Sequence, residues 1–358
     1  MKLFSPLAAG DLELANRLVM APMTRLRSDE RGVPNALMAE HYAQRASMGL
    51  IVSEGVFPSA ESRAYPGQPG ITDDEQAAGW RLVTDAVHAA SGRIVMQLMN
   101  GGRVTTTGIT GTDRIVAPSA IAIDGETRLA DGSKARYGLP HALTTDELAT
   151  VTDEFVAAAR RAIDAGFDGV ELHSANGYLL HEFLSPASNT RTDAYGGSPA
   201  ARAAFVIEVA QAVAAEVGAG RVGIRISPSH NIQDVLETDP ADVLATYGTL
   251  VDAIAPLGLA YLSILHAEPA GSLVQELRTR FGGTVIVNSG FGEVTTADEA
   301  HALIDAGVAD AVAVGRPVIA NPDLVERWRG GHDLNDVDQA TVYAPGAEGY
   351  TDYPRLSA

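Results

Sequence analysis

An α/β fold, a (β/α)8 (TIM) barrel with a capping insertion after its third strand, is what the sequence predicts, on three observations. Eight short, β-branched apolar runs recur along the 358 residues, and runs without polar alternation suit strands buried on both faces of a parallel sheet. Ala-rich stretches lie between them and open on helix-start signals. One connection, residues 101–143, is rich in Gly, Thr and Ser and too long for a simple strand-to-helix loop.

The runs, in order, are Arg17–Ala21, Leu50–Ser53, Arg93–Leu98, Asp168–His173, Val222–Ser227, Ala260–Ile264, Thr284–Asn288 and Asp310–Val314. Thr72-x-x-Glu75, Thr144-x-x-Glu147 and Thr296-x-x-Glu299 read as capping boxes, in which hydroxyl and carboxylate each satisfy a free backbone N–H. Ser198-Pro199, Asp239-Pro240 and Asn321-Pro322 read as an N-cap followed by proline at the first helical position, where its missing donor costs nothing. A doubly wound open sheet is the rival, but it would carry a Gly-x-Gly-x-x-Gly turn after its first strand, and here that strand leads into Ala21-Pro-Met-Thr24. Composition does not shift across residues 101–143, so the expectation is one domain, 1–358, with that segment as a lid on the C-terminal face.

Charge and composition narrow the function. With 45 acidic against 26 basic side chains and a net charge of −19, the chain is unsuited to a nucleic-acid backbone or an anionic membrane. Without cysteine it has no disulfide, thiolate metal site or cysteine nucleophile. The first residues form neither a signal peptide nor a membrane anchor. The longest apolar candidate, Ala253–Ala267, is interrupted by Pro256 and Gly258 and is too short to span. A cytoplasmic protein acting on small molecules, as monomer or homodimer, is the expectation.

In such a barrel the chemistry sits where strands end at their C-terminal edge. The residues there are Thr24 after the first strand, Gly55 after the second, Gln97 in the third, His173 ending the fourth and Arg225 in the fifth. Gly290-Phe-Gly292 and Gly315-Arg316 follow the seventh and eighth strands; taken together, two Gly-rich turns and an arginine suit a phosphate. Arg225, if it faces the interior, is a buried cation that needs an anion or a group developing negative charge. His173-Ser-Ala-Asn176-Gly-Tyr178 brings two hydrogen-bonding side chains and a phenol together, able to polarise one carbonyl oxygen and to donate a proton beside it. A structural histidine and a plain Asn-Gly turn are the simpler alternative at this point.

Other chemistries are judged by what is missing. Lys2 and Lys134 are the only lysines and neither ends a strand, which excludes a Schiff-base aldolase. No His-x-His or His-Glu-x-x-His pair supports a zinc or two-metal hydrolase. A glycosidase using Glu54 and Glu171, on strands two and four, stays open, as does a barrel that only binds.

The chain resembles the Old Yellow Enzyme family of FMN-dependent ene-reductases, nearly end to end. The resemblance is carried by Asn16-Arg17 with Ala21-Pro22-Met23-Thr24-Arg25, Ser53-Glu54-Gly55, Tyr65-Pro-Gly-Gln-Pro-Gly70 and Gln97-Leu98 with Gly102-Arg103. The longest matches are His173–Pro186 and Ser188–Gly197, followed by Gly223-Ile-Arg225, Gly315-Arg316-Pro317 and Tyr350-Thr-Asp-Tyr-Pro354. It implies that Pro22, Thr24, Gly55 and Gln97 contact the flavin ring, that Arg225 lies beside its N1 and O2, and that Gly290, Gly292, Gly315 and Arg316 hold its phosphate. It further implies that His173 and Asn176 grip the carbonyl or nitro oxygen of an activated alkene, that Tyr178 donates the proton, and that Tyr65 and Tyr353 line the pocket. The implied reductant is NADPH in preference to NADH. Met99-Asn100 stands where the family commonly has Trp-His, which alters one wall of the pocket. One branch of the family has cysteine where Thr24 stands, so the absence of cysteine places this chain in the threonine branch.

Overall fold

The computed structural model describes residues 1–129 and 132–356. Two short strands, β1 (Leu7–Ala9) and β2 (Leu12–Leu14), form an antiparallel hairpin. The eight apolar runs become β3 (Leu18–Met20), β4 (Leu50–Val52), β5 (Ile94–Leu98) and, after the long insertion, β10 (Gly169–Ser174), β11 (Val222–Ile226), β12 (Tyr261–Leu265), β13 (Val285–Asn288) and β14 (Ala311–Val314). All eight pair in parallel and close into one barrel, β14 bonding back to β3. The fold is therefore the expected (β/α)8 barrel. Every barrel-strand residue is buried, because the outward faces meet the helices and the inward faces meet one another.

Helix boundaries follow cap chemistry. The Thr144 hydroxyl accepts from Glu147 N in a full capping box, and Ser198 and Asp239 cap helices that begin with Pro199 and Pro240. Thr296 accepts from Glu299 N as expected. Two expectations are corrected. Asp73, not Thr72, caps the helix Asp74–Ala89, because its carboxylate accepts from Gln76 N while Thr72 N donates to the Gln76 side chain. Asn321 does not cap a helix at Pro322: its side chain bonds Pro317 O and Asn335, and the helix Leu324–Gly330 begins after Asp323.

The segment 101–143 is not bare loop. It holds β6 (Val116–Ala117) paired with β9 (His141–Ala142), and a hairpin of β7 (Glu126–Arg128) and β8 (Lys134–Arg136). At the opposite end of the barrel, β1 and β2 pack Ala9, Leu12 and Leu14 against Val19, Leu50, Val95 and Ile286 and close that end with apolar side chains.

Candidate active site

A cavity of about 900 Å³ opens at the C-terminal ends of the strands. It is lined by Pro22, Thr24, Gly55, Tyr65, Gln97, His173, Asn176, Tyr178, Arg225, Gly290, Gly315 and Arg316, so twelve of the residues singled out in the sequence meet in one place. Two do not line it. Gly292 sits in the open turn between Phe291 and Glu293, whose residues face the cavity while an added Cβ at 292 would touch nothing. Tyr353 corrects the expectation more clearly: its hydroxyl accepts from Asp338 N in the C-terminal segment, and the tyrosine of that segment on the cavity wall is Tyr343.

The buried cation of the cavity wall is Arg225. It lies on β11 opposite His173 of β10 and Ser263 of β12, is 3% exposed, and its Nε has no hydrogen-bond partner. Gly223, two residues earlier on the same face, gives its space to the Tyr261 ring: a Cβ there would come within 2.2 Å of it. Burial lowers the Arg225 pKa, countered in part by Glu171. A guanidinium left in this position without partners is built for a ligand with negative charge.

His173 is the penultimate residue of β10, and the chain then turns through two left-handed residues, Asn176 at φ 58° and Gly177 at φ 82°. Asparagine tolerates this conformation better than most side chains, and glycine adopts it freely. The turn is pinned from behind: Asn176 N donates to Ser227 Oγ at 2.9 Å, Gly177 N to His181 Nδ1 at 2.9 Å, and Gln233 Nε2 to Asn176 O at 3.2 Å. Because His181 Nδ1 accepts, its proton is on Nε2, which faces Glu237 at 3.4 Å. The result is that His173, Asn176 and Tyr178 share one wall, the His173 and Tyr178 rings 5.1 Å apart.

The protonation states suit donors. Burial first, then Arg225 and His181, hold the His173 pKa well below the usual histidine range, so it is neutral near pH 7. Burial first, then Tyr65, raises Tyr178 well above the usual phenol range and keeps its proton in place. The two phenols are hydrogen-bonded at 2.9 Å. His173 Nδ1 and Asn176 Oδ1 are buried without a protein partner. Such atoms are costly unless a ligand or water completes them.

At the mouth, Arg316 donates from Nη2 to the carbonyls of Phe291 (2.7 Å) and Glu293 (2.6 Å), which ties the turn after β13 to the start of the helix Arg316–Ala320 after β14. Gly290 adopts φ 89° and its N–H meets Asn288 Oδ1 at 3.2 Å. The glycosidase alternative loses its carboxylates here. Glu54 is turned away, accepting from the backbone of Arg25 and Leu26 at 3.0 and 3.1 Å, and Glu171 lies beneath the cavity wall; neither lines it. Among the described residues no group of His, Asp and Glu could hold a metal ion.

The NADH:flavin oxidoreductase / NADH oxidase family model matches residues 2–335. The chain belongs to that family, the Old Yellow Enzyme family. It is 42% identical over 98% of its length to a probable flavin mononucleotide-dependent alkene reductase of Leishmania infantum, covering 97% of that protein. The structure of an Old Yellow Enzyme homologue from Zymomonas mobilis matches with a TM-score of 0.94 at 38% identity, covering 99% of this chain and 100% of that one. Morphinone reductase in complex with tetrahydroNAD matches with a TM-score of 0.92 at 43% identity, covering 100% and 98%.

The chain is thus an FMN-dependent oxidoreductase of the alkene-reductase type, with NAD(P)H as reductant. The residues present fit that cofactor: the partnerless Arg225 Nε and Arg316 offer cations, and the turns at Gly290 and Gly315 bring unencumbered glycine backbone to the cavity wall, as a flavin and its phosphate require. Sequence reading missed the parts of the wall that come from loops, chiefly Tyr137 of the insertion, Gln233 after β11, and Phe291 and Tyr343. Only their position in strand-to-helix connections or the C-terminal segment could have flagged them. No helix among the described residues is long and apolar enough to cross a membrane.

Proposed function

We propose that the chain reduces the C=C bond of α,β-unsaturated carbonyl and nitro compounds, with Tyr178 as the proton donor. Bound FMN would supply the redox chemistry, hydride transfer from NAD(P)H to the alkene β-carbon. Pro22, Thr24, Gly55, Gln97 and Arg225 would hold the flavin ring, and Gly290, Gly315 and Arg316 would hold its phosphate. His173 and Asn176 orient the substrate oxygen and stabilise the charge that grows on it, as neutral donors fixed before the reaction starts. Tyr178 keeps its proton at neutral pH and gives it to the α-carbon, so that hydride and proton together complete the addition of hydrogen. Tyr65 sets the direction of the Tyr178 hydroxyl. The insertion 101–143 closes the mouth, its hairpin and Tyr137 supplying the wall that excludes water.

The observation that carries this reading is one cavity wall that holds a neutral His173 and the Asn176 carboxamide beside the protonated phenol of Tyr178, the His173 and Tyr178 rings 5.1 Å apart. The test is ligand titration of the FMN-loaded protein with a phenol, followed by the flavin absorbance, and turnover of an enone with NAD(P)H. Tight phenol binding should disappear when His173 and Asn176 are both changed to alanine, with enone turnover slowed by about a hundredfold or more. Unchanged phenol affinity would place the anion site elsewhere.

A further inference from the structure

Glu171 stands directly beneath the proposed flavin site and has no part in the chemistry assigned above. It is 1% exposed, on β10, with Gln97 of β5 as its neighbour on one side and Gly223 of β11 on the other. Both carboxylate oxygens are occupied. Gln97 Nε2 donates to Oε1 at 2.8 Å, and Tyr261 Oη donates to Oε2 at 3.0 Å. Tyr261 belongs to β12, one strand further round, and reaches Glu171 only by laying its ring across Gly223, where any side chain would overlap it. Three strands are therefore shaped around this one carboxylate.

The arrangement has two consequences. A carboxylate accepts and does not donate, so it dictates which end of the Gln97 carboxamide turns toward it: the NH2 points at Glu171 and the carbonyl oxygen is left for the cavity. A Gln97 side chain without this partner is free to turn over and present a donor instead. Glu171 is also the principal opposite charge acting on Arg225, the buried cation with no hydrogen bond of its own. The potential at the inner wall of the cavity is then the difference between a guanidinium and a carboxylate rather than that of a bare cation, and in a low-dielectric interior such differences act strongly on a neighbouring charge.

We propose that Glu171 is a positioning residue for the bound flavin, orienting the Gln97 carboxamide and offsetting the Arg225 charge, and that it thereby holds the flavin reduction potential below the value Arg225 alone would impose. The proposal rests on the reading that places Arg225 and Gln97 against the flavin. A carboxylate that only fills the barrel interior would affect stability and leave the potential where it is.

The test is the midpoint potential of FMN bound to the full-length protein, with thermal stability measured alongside. Glu171→Gln removes the charge at constant size, and its midpoint should shift to a more positive potential, because reduced flavin gains negative charge beside a less compensated Arg225. Glu171→Asp retains the charge and should stay nearer the native potential than Glu171→Gln. Should Glu171→Gln fail to fold, Tyr261→Phe carries the test: Glu171 loses a donor that favours its charged form, and the midpoint should move to a more positive potential. Loss of thermal stability with the midpoint unchanged in the folded variants would overturn the proposal. Failure of the native protein to bind FMN would instead overturn the underlying reading.

Discussion

At the N-terminal end of the barrel the hairpin β1–β2 drives Ala9, Leu12 and Leu14 against Val19, Leu50, Val95 and Ile286, whereas at the C-terminal end the same sheet finishes in Gln97, His173 and Arg225. The closed end is apolar and gains its stability from buried apolar area. The open end leaves Arg225 Nε, His173 Nδ1 and Asn176 Oδ1 buried without a partner in the protein. One set of strands thus serves as a hydrophobic plug at one edge and as an incomplete polar network at the other. The difference teaches where to look for a ligand: polar atoms that the fold buries and does not satisfy belong to whatever binds there.

That contrast is broken most severely at Arg225. Arg225→Ala should weaken FMN binding by about a hundredfold, since charge-assisted hydrogen bonds to a buried group are lost; titration of apoprotein with FMN, followed by fluorescence quenching, reads this directly. The closed end should respond in the opposite sense. Leu12→Ala should cost about 3 kcal/mol of stability through the cavity it leaves, measured by chemical denaturation, and leave FMN affinity unchanged. A Leu12→Ala protein with altered FMN affinity would mean that the two ends are mechanically coupled.

A subtler test concerns Glu182, on the helix Leu179–Leu184 that follows Tyr178. Its Oε1 accepts from Arg103 N at 2.9 Å, its Oε2 has no partner, and burial raises its pKa to about 8. The unfolded chain loses this proton near pH 4.3 or so, at about the ordinary glutamate value, while the folded chain keeps it until about 8. Across that window the unfolded state binds fewer protons, so this group makes stability fall as pH rises. Glu182→Gln removes the effect. Its stability relative to the native protein should therefore climb between those two values, by up to about 1.4 kcal/mol per pH unit, and level off above. Denaturation midpoints of both proteins across that range, compared pairwise, check the sign.

Much of this architecture was legible in the sequence. The strands declared themselves because a run such as Val222–Ile226, buried on both faces, has no reason to alternate, and Ser198-Pro199 fixes a helix start by cap chemistry alone. Thr72 and Asn321 misled because two neighbouring residues could serve as the cap, and tertiary hydrogen bonds to Gln76 and Asn335 decided which one did. At the site, strand-end residues such as Gln97, His173 and Arg225 were readable, since the register of a parallel barrel delivers them to one mouth. Gln233, Tyr137 and Tyr343 were not, because a loop's path depends on what it packs against. Tyr353 failed for the same reason: the C-terminal segment turns its hydroxyl to Asp338 N.

In the proposed mechanism the phenol of Tyr178 acts only on the alkene, after the flavin has been reduced. Rapid-mixing measurement of the two half-reactions of Tyr178→Phe tests it most directly. Reduction of the bound flavin by NAD(P)H should proceed at the native rate, while its reoxidation by an enone should slow by about a hundredfold or more. Equal slowing of both half-reactions, or an enone step as fast as in the native protein, would contradict it.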